Sequence, residues 1–415
     1  MGYRGNRCQV CTGCGRCAPG GNLEKKIQVV TASFQLPEQA AGERRSDGAE
    51  EAAGPYAGHE LAIADLGTTT IAMEWYDGCG VKQGEYVCAN PQRIFGADVI
   101  SRIQAAENPM LRRQMQQLVR RSLTEGLTCF RQQGGRPEKL VIAGNTTMLY
   151  LLTGHDPSPL GTAPFTADYL DQEQLALEGV EAVTLPGLSA FVGGDIVAGI
   201  VACGMDRSEE VTLLVDLGTN GELALGCRDR VICCGTAAGP AFEGGSDIWG
   251  ADMVALTAKL LKLGLVDETG LLAEPYFEQG ITISDMRITQ AQIRQFQMAK
   301  AAICTGIHIL AEVYGLTELR QIQKVYLAGG FGYFLDAEAA MVLGLLPQEL
   351  SGRVSAAGNT ALAGAWLYAV NPEIPERVAE LRHRAQVINL AEQEAFGEKY
   401  IENMNLCKFV EKDTD

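Results

Sequence analysis

Leu61-Ala-Ile-Ala-Asp65-Leu-Gly67-Thr68-Thr69-Thr70 and Leu213-Leu-Val-Asp216-Leu-Gly218-Thr219-Asn220-Gly221-Glu222 decide how this 415-residue chain folds. Each runs an apolar stretch into Asp-Leu-Gly-Thr, which reads as a strand entering a tight hairpin turn. The glycine, lacking a Cβ, lets backbone N–H groups approach phosphate oxygens, and the threonine hydroxyls add hydrogen bonds. The aspartate suits a Mg²⁺ held through waters, or the orientation of an attacking water. One copy is an ordinary turn in most proteins. Two copies, with aspartates 151 positions apart, predict two similar lobes facing each other across a cleft. Leu140-Val-Ile-Ala-Gly144 and Val325-Tyr-Leu-Ala-Gly329 echo the repeat, each a strand ending in Ala-Gly late in its own half.

Around these stretches, from Leu61 onward, short apolar strands alternate with Gly-rich turns and helical segments, the pattern of a layered α/β protein. The spacing predicts helices over 109–133, 289–314 and 375–384. The length implies about two to three domains, and 47% hydrophobic with 20% charged residues is an ordinary globular composition, which excludes fibrous and globally disordered classes. A formal charge of −17 argues against a nucleic-acid partner, because phosphate binding needs concentrated Lys and Arg. The longest apolar run, Leu188 to Met205, carries Asp195 and several glycines, unlike a membrane-spanning helix. No charged-then-apolar leader opens the chain, so the cytoplasm is the expected location.

Thirteen cysteines in such a protein point to metal or redox work rather than to a disulfide framework. Four of them form Cys8-x-x-Cys11-x-x-Cys14-x-x-Cys17, a spacing that starts like bacterial ferredoxin cluster motifs and lacks the partner set a second cluster would need. All four thiolates on one [4Fe–4S] cluster is the leading reading; structural zinc, whose ligands more often come as two separated pairs, is the alternative. Arg4, Arg7, Arg16, Lys25 and Lys26 would offset the thiolate charge and favour an acidic partner. A strand is expected over Ile27 to Phe34. Pro37 to His59 is rich in Ala, Gly and Glu, too poor in bulky apolar residues to offset ordering entropy, and reads as a tether. Cys233-Cys234 read as buried and inert, and no Ser/His/Asp arrangement gives the four histidines, His155 among them, a role.

Five elements now fall in one order. Asp65-Leu-Gly67-Thr68-Thr69 resembles a first phosphate loop, Gly193-Gly-Asp195-Ile-Val-Ala-Gly199 a first connecting helix, and Asp216 to Glu222 a second phosphate loop. Ala328-Gly329-Gly330-Phe-Gly332 resembles an adenosine loop, and Gly358-Asn359-Thr360-Ala-Leu-Ala-Gly364 a second connecting helix. That order resembles the actin, sugar-kinase and Hsp70 (ASKHA) superfamily over residues 61–370, and implies its two-lobed, ribonuclease-H-like fold. Four further runs, Gly144-Asn-Thr-Thr-Met148, Asp156 to Phe165, Ala237 to Gly244 and Leu327 to Asp336, resemble the reductive activators of corrinoid proteins.

The resemblance implies hydrolysis of ATP, with Mg²⁺, coupled to one-electron reduction of a Co(II) corrinoid to Co(I). Asp65 and Asp216 would organise metal and water. Gly67, Thr68, Thr69, Asp195, Gly218, Thr219 and Asn220 would face the phosphates, and Gly329 and Gly330 would pass under the nucleoside. Cys8, Cys11, Cys14 and Cys17 would hold the iron–sulfur cluster. The implied partners are the corrinoid protein of a methyltransferase system and a low-potential electron donor, with a homodimer allowed and neither nucleic acid nor membrane involved. The expected organisation is 1–37 cluster module, 38–59 linker, 60–205 first lobe, 206–370 second lobe with the adenosine loop, and 371–415 an extension packed on the body. One departure is plain: such activators commonly carry a much larger cluster domain than this head. The alternative is a small-molecule kinase of the same superfamily with a structural zinc head; a nucleotide-dependent, chaperone-like binding module is a third reading.

Overall fold

The computed structural model describes residues 58–406 except 219, 237, 240–249 and 284–285. The Cys8 to Cys17 head, the strand expected over Ile27 to Phe34 and most of the linker lie outside the described residues.

The first lobe begins with β1 (Leu61–Leu66), β2 (Thr70–Tyr76) and β3 (Lys82–Ala89). Helix α1 (Val99–Ala106) and the long α2 (Pro109–Gln132) follow. Asn108 caps α2 by accepting from the Met110 N–H, Pro109 occupies its first turn, and Met115, Val119, Leu123, Leu127 and Phe130 bury one stripe of it. Then come β4 (Lys139–Gly144), α3 (Thr146–Thr153), β5 (Gln174–Leu177), β6 (Val180–Thr184) and α4 (Gly194–Ala202). The sheet order is β3-β2-β1-β4-β6-β5, with β1, β4 and β6 parallel and β2 antiparallel to its neighbours.

The second lobe repeats this plan. Its strands are β7 (Thr212–Asp216), β8 (Glu222–Cys227) and β9 (Arg230–Gly235), then α5 (Gly250–Lys262) and a small hairpin of β10 (Ile281–Ile283) and β11 (Met286–Ile288). Helix α6 (Gln290–Tyr314) starts at a Thr289/Gln292 capping box and stops at Gly315, whose φ of 97° suits glycine. After it come β12 (Lys324–Ala328), α7 (Gly329–Phe334), α8 (Ala337–Val342), β13 (Val354–Gly358) and α9 (Thr360–Val370). Finally α10 (Ile374–Arg384), β14 (Ala385–Val387) and α11 (Phe396–Glu402) complete the body. The sheet order is β13-β12-β7-β8-β9-β14. Its run β9-β8-β7-β12-β13 matches β3-β2-β1-β4-β6 of the first lobe, so the sequence repeat is a repeat of topology, and the fold is the two-lobed ribonuclease-H-like one.

The two connecting helices, α4 and α9, are apolar nearly all round and buried, as helices sandwiched between layers must be. They pack on each other, and their residues share one core with the inner faces of both sheets. Gly364 of α9 makes this contact close: a Cβ there would stand 2.2 Å from the Ala198 carbonyl oxygen of α4. The plain packing role weighed for the glycines of Gly193 to Gly199 therefore holds at Gly199, where a Cβ would crowd Leu214 and Thr360. Among the described residues no helix is long and apolar enough to cross a membrane; the apolar run containing Asp195 is the nine-residue α4 and its approach.

Candidate nucleotide site

Asp65 lies near the C-terminal end of β1 and Asp216 at that of β7, so the equivalent strands of the two lobes present carboxylates to one cleft. The first hairpin turn is closed by the Gly67 N–H donating to the Thr70 carbonyl at 3.0 Å. A Cβ on Gly67 would fall 2.8 Å from that same oxygen, so only glycine fits. Two asparagines brace the loop. Asn90 donates its side-chain amide to the Gly67 carbonyl at 2.9 Å and its backbone N–H to the Thr69 carbonyl at 2.8 Å. Asn145 caps α3 through its Oδ1 and donates Nδ2 to Thr68 Oγ1 at 3.0 Å.

The second loop is held differently. Thr236, just past the end of β9, donates Oγ1 to the Asn220 carbonyl at 2.9 Å, and the Ala238 N–H reaches the same oxygen at 3.2 Å. The Leu217 N–H donates to the Ala328 carbonyl at 3.1 Å, tying this loop to the Ala-Gly-Gly turn. Gly329 there has φ of 81°, and a Cβ on it would lie 2.8 Å from Asp216 Oδ1. The adenosine-loop glycine is thus what lets backbone pass beside the Asp216 carboxylate. Gly330 follows in the first turn of α7, half-buried. Among the described residues a Cβ on Gly218 would meet only Asp216 Oδ1, at 3.9 Å. Thr219 lies outside the described residues.

Asp195, in the first turn of α4, joins the two strand-end aspartates, and Glu222, directly opposite Asp216 in the β7–β8 register, makes a fourth carboxylate. All four are half-buried. Burial pushes Asp65 up to about 6, against the pull of a hydrogen bond from Asn359. Burial and the neighbouring Asp65 charge push Asp195 up to about 7. Burial, then Asp195 and Asp65, push Asp216 up to about 8. Glu222 rises well above the usual carboxylate range through burial, Asp195 and Asp216. These are carboxylates whose raised values would be lowered by a neighbouring cation. Among the described residues no three His, Cys, Asp or Glu are grouped to hold a metal ion directly.

Sequence reading missed four members, Asn90 among them. Glu222 was visible in the motif, and a hairpin register drawn across the turn would have placed it against Asp216. Asn145 carried the signal of a helix cap. Asn359, the cap of α9, carried the same signal, but nothing in the sequence tied it to Asp65, to whose Oδ2 its Nδ2 donates at 2.8 Å across 294 positions. The bland readings hold elsewhere. Cys233 and Cys234 are fully buried, with burial raising the Cys233 thiol to about 12. His155 stacks on Tyr169 at 3.6 Å and bonds Glu173 at 2.7 Å. Glu243 lies outside the described residues.

Two lobes of one topology, paired phosphate turns, an acidic cleft and two crossed connecting helices define an ATPase-type body of the ASKHA class. Within that class, the RACo middle-region model matches residues 61–208, and the model of the C-terminal ASKHA domain of RACo matches 210–259 and 246–413. The chain belongs to this family, the reductive activators of corrinoid proteins. It is 30% identical to the corrinoid activation enzyme RamQ of Eubacterium limosum, across 82% of this chain and 69% of RamQ. The solved reductive activator for a corrinoid, iron–sulfur protein superposes with a TM-score of 0.75 at 26% identity, across 84% of this chain and 66% of that one. The [Co(II) methylated amine-specific corrinoid protein] reductase of Methanosarcina barkeri is 24% identical across 54% of this chain and 51% of its own. The chain thus spans about two thirds of the first two relatives and about half of the third.

Proposed function

We propose that this protein reductively activates a corrinoid protein, using ATP hydrolysis in the inter-lobe cleft to drive one-electron reduction of Co(II) to Co(I). The observation that carries the proposal is the acidic cluster of Asp65, Asp195 and Asp216, set between two phosphate turns with Gly329 against Asp216. Asp65 and Asp216 organise the hydrated Mg²⁺ and the attacking water. Gly67, Thr68, Thr69, Gly218, Thr219 and Asn220 contact phosphates, and Gly329 and Gly330 run beneath the nucleoside. Cys8, Cys11, Cys14 and Cys17 hold an iron–sulfur cluster that takes one electron from a low-potential donor and passes it to cobalt. The nucleotide contributes no electron; it biases the lobes through contacts that differ between ATP and ADP. The proposed partner is the corrinoid protein of a methyltransferase system.

The test is metal content and visible spectrum of the anaerobically purified protein, before and after dithionite, alongside ATPase assays. Iron and sulfide near four per chain, expected of one [4Fe–4S] cluster, with a reducible chromophore support the reading. Zinc with no reducible chromophore would defeat this reading and move the small-molecule kinase or the nucleotide-dependent binding module to first place. Deleting residues 1–37 is expected to leave ATP hydrolysis intact and abolish electron delivery.

A further inference from the structure

The junction between β13 and α9 links the lobes, and Asn359 occupies it. The strand belongs to the second lobe's sheet, whereas the helix packs on β1 and β4 of the first. Gly358 turns the chain with φ of 75°, beside an irregularity in the β12–β13 pairing. Asn359, 6% exposed, then uses both ends of its amide. Its Oδ1 accepts the Leu362 N–H at 2.8 Å and caps α9, while its Nδ2 donates to Asp65 Oδ2 at 2.8 Å. The cap fixes the amide's orientation, because turning it over would surrender the cap and set oxygen against oxygen. One oxygen of Asp65 is therefore committed to the other lobe, and the other is left for the cleft.

From this geometry we infer that Asn359 is a positioning residue for hydrolysis: it aims the Asp65 carboxylate and registers that carboxylate to the second lobe. The inference rests on the nucleotide site proposed above and adds a residue to it. A hinge rotation that shifts α9 against β1 must stretch this bond or carry Asp65 with it. Asn359 thus ties the orientation of the first phosphate turn to the lobe angle. Helix capping alone would need only a side-chain oxygen, a requirement that Ser or Asp meets equally well.

That difference supplies the test. Asn359→Ser keeps a cap and cannot reach Asp65; Asn359→Asp keeps the cap and turns a carboxylate towards Asp65; Asn359→Ala loses both. Steady-state ATPase is measured on the full-length chain, below every variant's thermal midpoint. The Ser variant, and the Asp variant where it folds, are expected to lose about 10- to 100-fold in kcat, the scale of a misplaced reacting group. In the Ser variant KM for ATP should stay within about twofold, and Tm should fall by only about 2–4 °C for the one buried hydrogen bond lost. Wild-type kcat in the Ser variant, a KM that rises in step, or a loss confined to the Ala variant and tracking its Tm overturns the inference while leaving the ATPase reading intact. A wild-type chain that hydrolyses no ATP overturns both.

Discussion

Gly364→Ala puts one methyl group at the closest approach of the two connecting helices. The Cβ would sit 2.2 Å from the Ala198 carbonyl oxygen and 2.5 Å from its Cα, where real contacts essentially never fall below 3.0 Å. The obstacle is helix backbone, so no rotamer change relieves it, and α4 and α9 must separate by at least about 0.8 Å. A gap of that size forfeits about a quarter to a half of each van der Waals contact across the crossing. Overpacking of a tight core costs about 1–3 kcal/mol, and an immovable obstacle belongs at the upper end, about 3 kcal/mol. With an unfolding entropy of about 2.1 cal/mol/K per residue over roughly 350 residues, the expected fall in Tm is about 4 °C. Because Asp195 and Asn359 begin the two helices, ATPase activity should fall as well, at temperatures where the variant is fully folded. Thermal unfolding by circular dichroism with parallel ATPase assays reads both effects. Gly397→Ala is the control, an exposed helical position with nothing within 4 Å of an added Cβ; it should gain about 0.5–1 kcal/mol from reduced backbone entropy. A Gly364→Ala protein whose Tm stays within about 1 °C of wild type would refute the packing argument.

Two further expectations concern charge. The cleft carboxylates have folded-state values raised above the unfolded ones, so the folded chain binds more protons. The stability tied to them is present below about pH 4 and lost as pH rises through about 6, 7 and 8. Asp216→Asn should therefore raise the Tm of nucleotide-free protein more at about pH 8.5 than at about pH 5 while removing hydrolysis, and equal shifts at the two pH values would count against a strained acidic cluster. Separately, Arg377 of α10 grips the buried Asp206 carboxylate with two bonds, at 2.8 and 2.9 Å. Arg377→Met strands that charge and should cost about 3–5 kcal/mol in urea unfolding, with a loss below about 1 kcal/mol showing that Asp206 finds other partners.

The fold was legible because its evidence is local and repeated. Asp65 and Asp216 each end a short apolar strand, and a hairpin turn has few alternatives once Gly67 and Gly218 are in place. The helices predicted over 109–133 and 289–314 were equally plain, with caps at Asn108 and Thr289 and an apolar stripe along α2. The predicted start at 375 missed one residue, since α10 begins at Ile374 with Pro375 inside its first turn, where proline needs no N–H partner. What stayed hidden was pairing across distance. Nothing near Asn359 or Asn90 in sequence announces Asp65 or Gly67 as a partner, and the raised values of Asp195 and Asp216 come from burial and from acids distant in sequence. The edge strand β14, which extends the second sheet beside β9, was concealed by its brevity, as three residues carry no periodicity.

The layout also bears on how nucleotide energy would reach cobalt. The described chain enters the first lobe at Glu60, whose carboxylate accepts from Trp75 Nε1 at 3.0 Å, at the end of β1 remote from Asp65. At about 3.3 Å per residue, Leu61 and Asp65 stand about 13 Å apart along the strand. The point where the cysteine-bearing segment joins the body and the proposed nucleotide cleft thus lie at opposite ends of the same strand. Within the described residues, the lobes are joined through the two connecting helices. The crossed helices offer the lever: α4 rises from the first lobe bearing Asp195, α9 returns from the second behind Asn359, and they meet at Ala198 and Gly364. A nucleotide that relieves repulsion among the cleft acids would, in the proposed reading, act on the two helices whose starts carry Asp195 and Asn359, and so on the angle between the lobes. In the proposed reading, ATP is spent on that angle and the electron travels separately, so hydrolysis should survive loss of the head while the lobe-angle signal still forms.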